Sequence, residues 1–212
     1  AEQPIVLYEY QPSRKAEHAQ AFLKDFSGWL HADGYQGYHK LPEKIRVVGC
    51  WAHVRRKFDE ALQTLPKEKQ QGSLAAVGEC YCTKLFQLEE TLSELTAEER
   101  YTKRLELEKP VLDALLAWAE DASVKTAPKS ALGKALHYLR EQWPYLIRYL
   151  EDGRLELSNN RAERSIKPFV MGRKNWLFSN TPAGAQSSAV IYSLIETAKE
   201  NDLDPYRYLV WL

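Results

Sequence analysis

The sequence predicts a mixed α/β fold in which a β-rich N-terminal part and a helical C-terminal part enclose a long helical middle. Short runs of β-branched and aromatic residues near 4–10, 28–33 and 45–50 predict at least three strands. Residues 67–152 are rich in Leu, Ala, Glu and Lys at helical spacing, without a β-rich run. Short strands alternating with amphipathic helices are typical of an α/β layer architecture.

The N-terminal part predicts two helices among its strands. The first covers residues 13–26, where Ser13 is a plausible N-cap and apolar side chains recur from Ala16 to Phe26. The second begins near Ala52 and continues to Leu65. The strand at 28–33 ends at Asp33, just before a glycine, so its acidic side chain is predicted at a strand tip.

The last sixty residues predict three further helices. Asn160 has the spacing of a capping box with Glu163, and Pro168 predicts that this helix is short. A turn and an extended piece are predicted over 171–179. A longer helix is predicted over 184–201, and a short one begins at Asp204-Pro205.

Charge is unevenly distributed, although the chain has 29 basic and 29 acidic residues. The zero net charge excludes a protein that is strongly basic overall. The segment 44–57 has five basic residues and no acidic one, and 154–176 has six basic and two acidic ones. Two basic segments beside an acidic middle indicate a local face for a polyanion, or else ordinary solvated helix faces.

The three cysteines predict a reducing compartment rather than a disulfide framework. Cys50 and His53 have the spacing of a metal-ligand pair, which Cys80 and Cys82 would complete to four ligands. The alternative is that the cysteines are small buried apolar residues, and the C-x-C spacing favours it. No apolar run is long enough to predict a membrane-spanning helix.

Two acidic residues are candidates for a functional site. Asp33 follows an apolar strand, at the sheet edge where α/β folds place ligands. Glu163 opens a helix in the most basic segment, so its carboxylate is surrounded by cations. The alternatives are a turn-forming Asp before glycine and a helix-capping Glu with salt bridges.

Several motifs carry a resemblance to a known family. They are His31-Ala-Asp33-Gly-Tyr35-Gln-Gly-Tyr38, Gly49-Cys-Trp-Ala-His53-Val-Arg-Arg-Lys-Phe58, Leu157-Ser-Asn-Asn160-Arg-Ala-Glu163-Arg, Met171-Gly-Arg-Lys-Asn-Trp176-Leu-Phe, Tyr192-Ser-Leu-Ile-Glu-Thr-Ala198 and Asp204-Pro-Tyr206. In this order they resemble the insertion-sequence 66 family of bacterial transposases. The resemblance covers nearly the whole chain, whereas the helical middle matches only in character.

The resemblance implies a DDE recombinase on a ribonuclease-H-like mixed sheet, incomplete here because its first strands are missing. It implies a core formed by residues 1–66 and 153–212, interrupted by an all-α insertion over 67–152. It implies that Asp33 is the second catalytic, metal-binding Asp and Glu163 the Glu of the triad. The cofactor is then Mg²⁺ or Mn²⁺ in the full-length parent. Cys50 and His53 resemble a near-site structural element of several transposase groups.

The implied partner is DNA, both the transposon ends and the target, with self-association in a synaptic complex and no membrane. The candidate DNA-binding residues are Arg55, Arg56, Lys57, Arg164, Lys167, Arg173, Lys174 and Trp176. Trp176 and Phe178 are candidates for stacking on unpaired bases, with core or interface packing as the alternative. The implied location is the bacterial cytoplasm, in association with the nucleoid.

The chain departs from the family pattern at its start, because no Asp precedes Asp25. We therefore expect a fragment of a longer protein that is inactive alone, since the first catalytic Asp is missing. One alternative is a non-catalytic remnant or a helical module for protein contacts. Another is a structural zinc-binding helical protein that uses the Cys and His residues.

Overall fold

The computed structural model describes the backbone of residues 3–176 and 179–212, and all their side chains except that of Trp176. The described part is mostly helical, with two short strands. The strands are β1 (Gly28–His31) and β2 (Ile45–Val48). The helices are α1 (Ala16–Phe22), α2 (Trp51–Gln63), α3 (Lys67–Gln70), α4 (Leu74–Thr91), α5 (Ala97–Lys103), α6 (Lys109–Val124), α7 (Ala131–Leu146), α8 (Asn160–Trp176), α9 (Pro182–Glu200) and α10 (Pro205–Trp211). No helix in this part of the chain is long and apolar enough to cross a membrane.

The chain forms two compact units. The central unit consists of residues 22–159, and the terminal unit combines residues 1–21 with residues 160–212. The division at residues 66 and 152 that the sequence predicts stays a prediction.

The two strands of the central unit pair in parallel. Gly28 lies opposite Ile45, and His31 lies opposite Val48. The Ala32 N–H extends the ladder by donating to the Val48 carbonyl at 3.0 Å. The fold is therefore mixed α/β with a helical bulk, as predicted in outline. Its two-stranded sheet does not by itself confirm the ribonuclease-H-like topology.

Residues 4–10 were predicted to form a strand, and this prediction is wrong for the described structure. The segment is extended but lies along α9, where helix side chains replace a neighbouring strand. The side chains of Ser193, Thr197 and Asn201 bind backbone groups of Tyr8, Val6 and Pro4. Every fourth residue of the helical side thus meets every second residue of the extended segment. This match is possible because one helical turn and two extended residues span similar lengths.

Among the described residues of this series, only Thr197 both accepts a hydrogen bond from a backbone N–H and donates one to the carbonyl of the same residue. Its Oγ1 accepts from the Val6 N–H at 3.0 Å and donates to the Val6 carbonyl at 3.1 Å. Replacing Thr197 by valine is expected to speed amide exchange at Val6 and Tyr8 and to destabilise the terminal unit by about 1–2 kcal/mol, because both bonds are lost. The control is Ser187→Ala, since Ser187 Oγ donates only within α9, to Ala183. Equal exchange at Val6 in both variants would contradict this account.

The core of the central unit is built where α2 packs against α4 and α7, with α6 beside them. Trp51 and Phe58 of α2 are completely buried there, together with Leu115 and Leu139. Ser73, Thr96 and Ser130 cap α4, α5 and α7. The predicted helical middle is thus observed from residue 67 to 151, and it shares one core with the first helix after the sheet.

Helix α8 is longer than the sequence predicted. It runs through Pro168 to Trp176, so the extended piece predicted over 171–179 is wrong as far as residue 176. Pro168 lacks an N–H, yet Phe169 packs beside the rings of Tyr8 and Tyr192 at 6.2 and 5.2 Å. This aromatic packing offsets the lost hydrogen bond. The predicted extended Phe178 lies outside the described residues.

The first helix of the chain is shorter than predicted, since α1 covers Ala16–Phe22 only. Ser13 does not cap it, and its Oγ lies 2.8 Å from His18 Nε2 instead. The two C-terminal helices are confirmed, and Asp204 caps α10 by accepting from the Arg207 N–H at 2.8 Å.

Candidate functional site

The candidate site begins at the carboxyl ends of the paired strands. Asp33 comes two residues after His31 and Cys50 two residues after Val48, so the parallel register places both at one sheet edge. The Asp33 Oδ1 accepts a hydrogen bond from the Tyr35 N–H at 3.1 Å, and the side chain is half-buried. This bond is that of a turn-forming Asp, the simpler sequence interpretation.

Tyr138 of α7 lies against the turn that follows Asp33. A Cβ placed on Gly34 would be 2.6 Å from the Tyr138 hydroxyl, so only glycine permits this approach. Burial raises the pKa of Tyr138 to about 12, and electrostatic interactions with Cys50 and Asp33 contribute to the rise. The phenol therefore keeps its proton at neutral pH beside the Asp33 turn.

Two histidines near this edge are held neutral. His39 stacks on Tyr145 with ring centroids 4.1 Å apart. Burial lowers the pKa of His39 from its ordinary value, against a smaller opposing effect of a hydrogen bond to Gln142. Burial also lowers the pKa of His31. Neutral imidazoles add no positive charge to the surroundings of Asp33 at pH 7.

Cys50 anchors a distant segment at the same edge. It is buried at the start of α2, and its Sγ accepts from the Asn159 N–H at 3.5 Å. The next residue, Trp51, donates its N–H to the Leu157 carbonyl at 3.1 Å and its indole Nε1–H to the Leu146 carbonyl at 3.1 Å. These hydrogen bonds therefore hold residues 157–159 against the junction between β2 and α2.

The candidate DNA-binding residues of α2 already have partners in the molecule. The guanidinium of Arg55 lies 4.6 Å from the ring centre of Phe86. Lys57 Nζ lies 3.0 Å from a Glu60 carboxylate oxygen. Arg56 is exposed. These contacts are individually weak, so they leave DNA binding by this helix a prediction.

Helix α8 carries Glu163 in its first turn, where the side chain is half-buried. Arg161 pairs with Glu200 of α9 at 3.1 Å. The four candidate DNA-binding cations of this helix are exposed, namely Arg164, Lys167, Arg173 and Lys174. Ala162 and Ile166, two apolar residues of this helix, are exposed. The side chain of Trp176 lies outside the described residues.

Asp33 belongs to the central unit and Glu163 to the terminal unit. The structure describes the surroundings of each carboxylate separately. Their approach, which the resemblance implies, therefore stays a prediction.

The donor types suit the implied metal. Mg²⁺ takes hard oxygen ligands and is usually held by one or two carboxylates together with waters, which Asp33 and Glu163 would supply. Within the described residues, no group of three or more His, Cys, Asp and Glu could hold a metal ion. Of the residues considered for zinc, Cys50 and Cys82 are buried and Cys80 is exposed, and burial raises the pKa of the Cys82 thiol to about 12.

Sequence reasoning did not assign Tyr138, His39 or Asn159 to this edge. Asn159 lies inside a motif that carries the family resemblance, and that motif was the available signal. Tyr138 lies on a helix of the predicted insertion and His39 in a short 3-10 turn, Tyr38–Lys40. Neither has a sequence signal, because only the packing of α7 brings them to the strand tips.

The geometry defines a protein with a half-buried carboxylate beside a tyrosine and neutral histidines at the carboxyl edge of a small parallel sheet, embedded in helices. Comparison with known proteins supplies the family. The family model described as "Transposase IS66 family" matches residues 1–187, so the chain belongs to the IS66 transposase family.

Curated relatives come from Sinorhizobium fredii and are themselves uncharacterized proteins. The protein y4hP is 31% identical over 97% of this chain, and y4jD is 33% identical over the same share. The chain spans 40% of the length of y4hP and 41% of that of y4jD. No solved structure matches the chain.

Proposed function

We propose that this chain is part of the catalytic region of a DNA transposase, which cuts and joins DNA ends by metal-assisted phosphoryl transfer. Asp33 and Glu163 are the proposed metal-binding carboxylates. When bound, two divalent ions activate the attacking oxygen and stabilise the leaving oxygen at phosphorus. The proposed partner is DNA, with the exposed cations of α8 facing its phosphates.

One observation carries this proposal, namely the attachment of residues 157–159 at the sheet edge beyond Asp33. The parallel register puts Cys50 level with Asp33, and the Asn159 N–H donates to Cys50 Sγ at 3.5 Å. Glu163 follows Asn159 by four residues, and four peptide units span at most about 14 Å. Chain connectivity therefore permits the proposed approach of Glu163 to Asp33, although about 130 positions separate the two residues.

The proposal is tested by strand transfer with the protein expressed from its whole reading frame, on duplex oligonucleotides that carry the transposon ends. Asp33→Asn and Glu163→Gln are each expected to reduce Mg²⁺-dependent strand transfer at least about 1,000-fold, since each removes a metal ligand. Binding to the same DNA is expected to remain, because neither residue is a cation.

The matched controls are Asp59→Asn and Glu120→Gln, which make the same chemical changes at exposed helix positions. Both are expected to transfer strands like the unmodified protein. Strand transfer that persists in Asp33→Asn or Glu163→Gln would refute the site assignment. A protein that binds DNA without transferring strands in any form would instead favour the non-catalytic module.

A further inference from the structure

A completely buried arginine in the helical middle binds the chain segment that leads towards Glu163. Arg104 begins a single π-helical turn, Arg104–Glu108, between α5 and α6, and none of its side chain is exposed. Such π turns recur at functional sites. Each of the five N–H donors of the guanidinium has an acceptor. They are two Glu89 carboxylate oxygens at 2.9 and 2.6 Å, and the backbone carbonyls of Tyr149, Asp152 and Leu155 at 3.0, 3.1 and 2.6 Å.

The two sets of acceptors have different roles. The bidentate salt bridge with Glu89 of α4 fixes the plane of the guanidinium and compensates its charge. The three carbonyls all belong to the turn at 149–155, which follows α7. Arg104 therefore ties this turn to α4 and to the π turn at three points of its backbone.

A second contact holds the same turn. Gly153 packs so closely against α5 that a Cβ would overlap the Ala97 carbonyl, and Arg100 Nη1 donates to the Gly153 carbonyl at 3.5 Å. Beyond the turn, the Leu157 carbonyl accepts from Trp51, and Asn159 donates to Cys50. The chain from 149 to 159 is thus bound at short intervals, and α8 begins one residue later.

We propose that Arg104 is a positioning residue for the transposase site, which acts by fixing the run 149–159 from which the helix of Glu163 starts. This inference rests on the proposed function, because it takes Glu163 as a metal ligand. The helical middle would then support the reaction by holding the chain that leads to Glu163, in addition to connecting the two catalytic segments.

Lysine cannot replace arginine in this role. An ammonium group has three donors on one nitrogen, whereas the guanidinium spreads five donors in a fixed plane. Arg104→Lys keeps the charge beside Glu89 but leaves at least two of the five acceptors without their donor. The Arg104→Lys variant therefore tests the five hydrogen bonds of the guanidinium separately from its charge.

The first test is amide hydrogen exchange in the full chain. Arg104→Lys is expected to speed exchange of the amides at 153–159 at least about tenfold, while those of α2 and α4 keep their protection. The control is Arg148→Lys, because Arg148 also binds a backbone carbonyl, that of Val47 at 2.9 Å. Unchanged exchange at 153–159 in Arg104→Lys would overturn the inference.

A second measurement needs no variant and covers the case in which Arg104→Lys unfolds. In the unmodified chain at low urea concentrations, the amides at 153–159 are expected to open together with those of the π turn, since Arg104 joins the two. Opening of 153–159 at clearly lower urea than 104–108 would overturn the inference.

The third readout separates positioning from a merely structural role. In the protein expressed from its whole reading frame, Arg104→Lys is expected to slow strand transfer at saturating DNA at least about tenfold, with DNA affinity and binding stoichiometry unchanged. A merely structural role would lower the stoichiometry, because part of the protein would be unfolded. Altered exchange together with an active Glu163→Gln variant would refute the proposed function while leaving the attachment of 149–159 intact.

Discussion

Replacing Gly153 by alanine is expected to destabilise the central unit by about 3 kcal/mol or more, at the upper end of what overpacking costs. Gly153 is buried, and the nearest atoms to an added Cβ belong to the backbone of Ala97 and Tyr101 in α5. Backbone atoms of a helix cannot rotate away as a side chain does, so α5 and the 149–155 turn must move apart. Urea unfolding followed by circular dichroism measures the loss.

The control for this substitution is Gly72→Ala. Gly72 has a positive φ of 74°, and an added Cβ would meet no atom within 4 Å. Its replacement is expected to cost only about 1–2 kcal/mol, the strain of a left-handed backbone for an ordinary residue. A loss in Gly153→Ala no larger than that in Gly72→Ala would contradict the account based on the contact with α5.

Replacing Glu108 by glutamine is expected to remove a decline in stability between pH 4.5 and about 8. Glu108 is completely buried, and the Tyr149 hydroxyl donates to its Oε2 at 2.5 Å. Burial raises its pKa to about 8, the charge of Glu89 adds to the rise, and the Tyr149 hydrogen bond and Arg104 oppose it. The folded state therefore retains a proton that the unfolded chain releases near the ordinary value of 4.5.

The sign follows from proton binding in the two states. Because the folded state binds more protons between pH 4.5 and about 8, the contribution of Glu108 to stability is complete below 4.5 and is lost as pH rises through about 8. The free energy of unfolding should fall relative to that of Glu108→Gln, with a slope of up to about 1.4 kcal/mol per pH unit. Urea unfolding at pH 5, 7 and 9 measures this difference.

Glu99→Gln is a control of opposite sign. Hydrogen bonds from Thr96 lower the pKa of Glu99, so its contribution is complete above the ordinary value of 4.5 and is lost as pH falls below it, which leaves Glu99→Gln without a pH-dependent difference between pH 5 and 9. A constant difference between the unmodified chain and Glu108→Gln from pH 5 to 9 would show that Glu108 is ionised in the folded state.

The sequence determined the local elements whose signals lie within a few residues. The strand runs at 28–33 and 45–50, the helical middle and the two C-terminal helices all follow from apolar periodicity and capping, and all appear near the predicted positions. The family also followed from the sequence, because its motifs are contiguous strings of residues in a fixed order. Asp33 and Glu163 were proposed for the same reason, and their roles stay predictions.

Predictions failed where a distant partner decides the local conformation. Residues 4–10 have strand propensity, but whether an extended segment becomes a strand depends on its neighbour, and here α9 supplies hydrogen bonds through side chains. Pro168 ends a helix by local rules, yet α8 continues because Phe169 packs on aromatic rings from two other segments.

Only the tertiary structure decided what surrounds the candidate site and what holds the chain beside it. The register of β1 and β2 places Asp33 and Cys50 at the same edge of the sheet. The hydrogen bond from Asn159 to Cys50 joins residues 109 positions apart. Arg104 was one basic residue among many in the sequence, and its five hydrogen bonds go to two distant segments, α4 and the turn at 149–155. Such contacts have no periodicity and no fixed spacing along the chain, so they exist only once the helices of the middle have packed against the sheet.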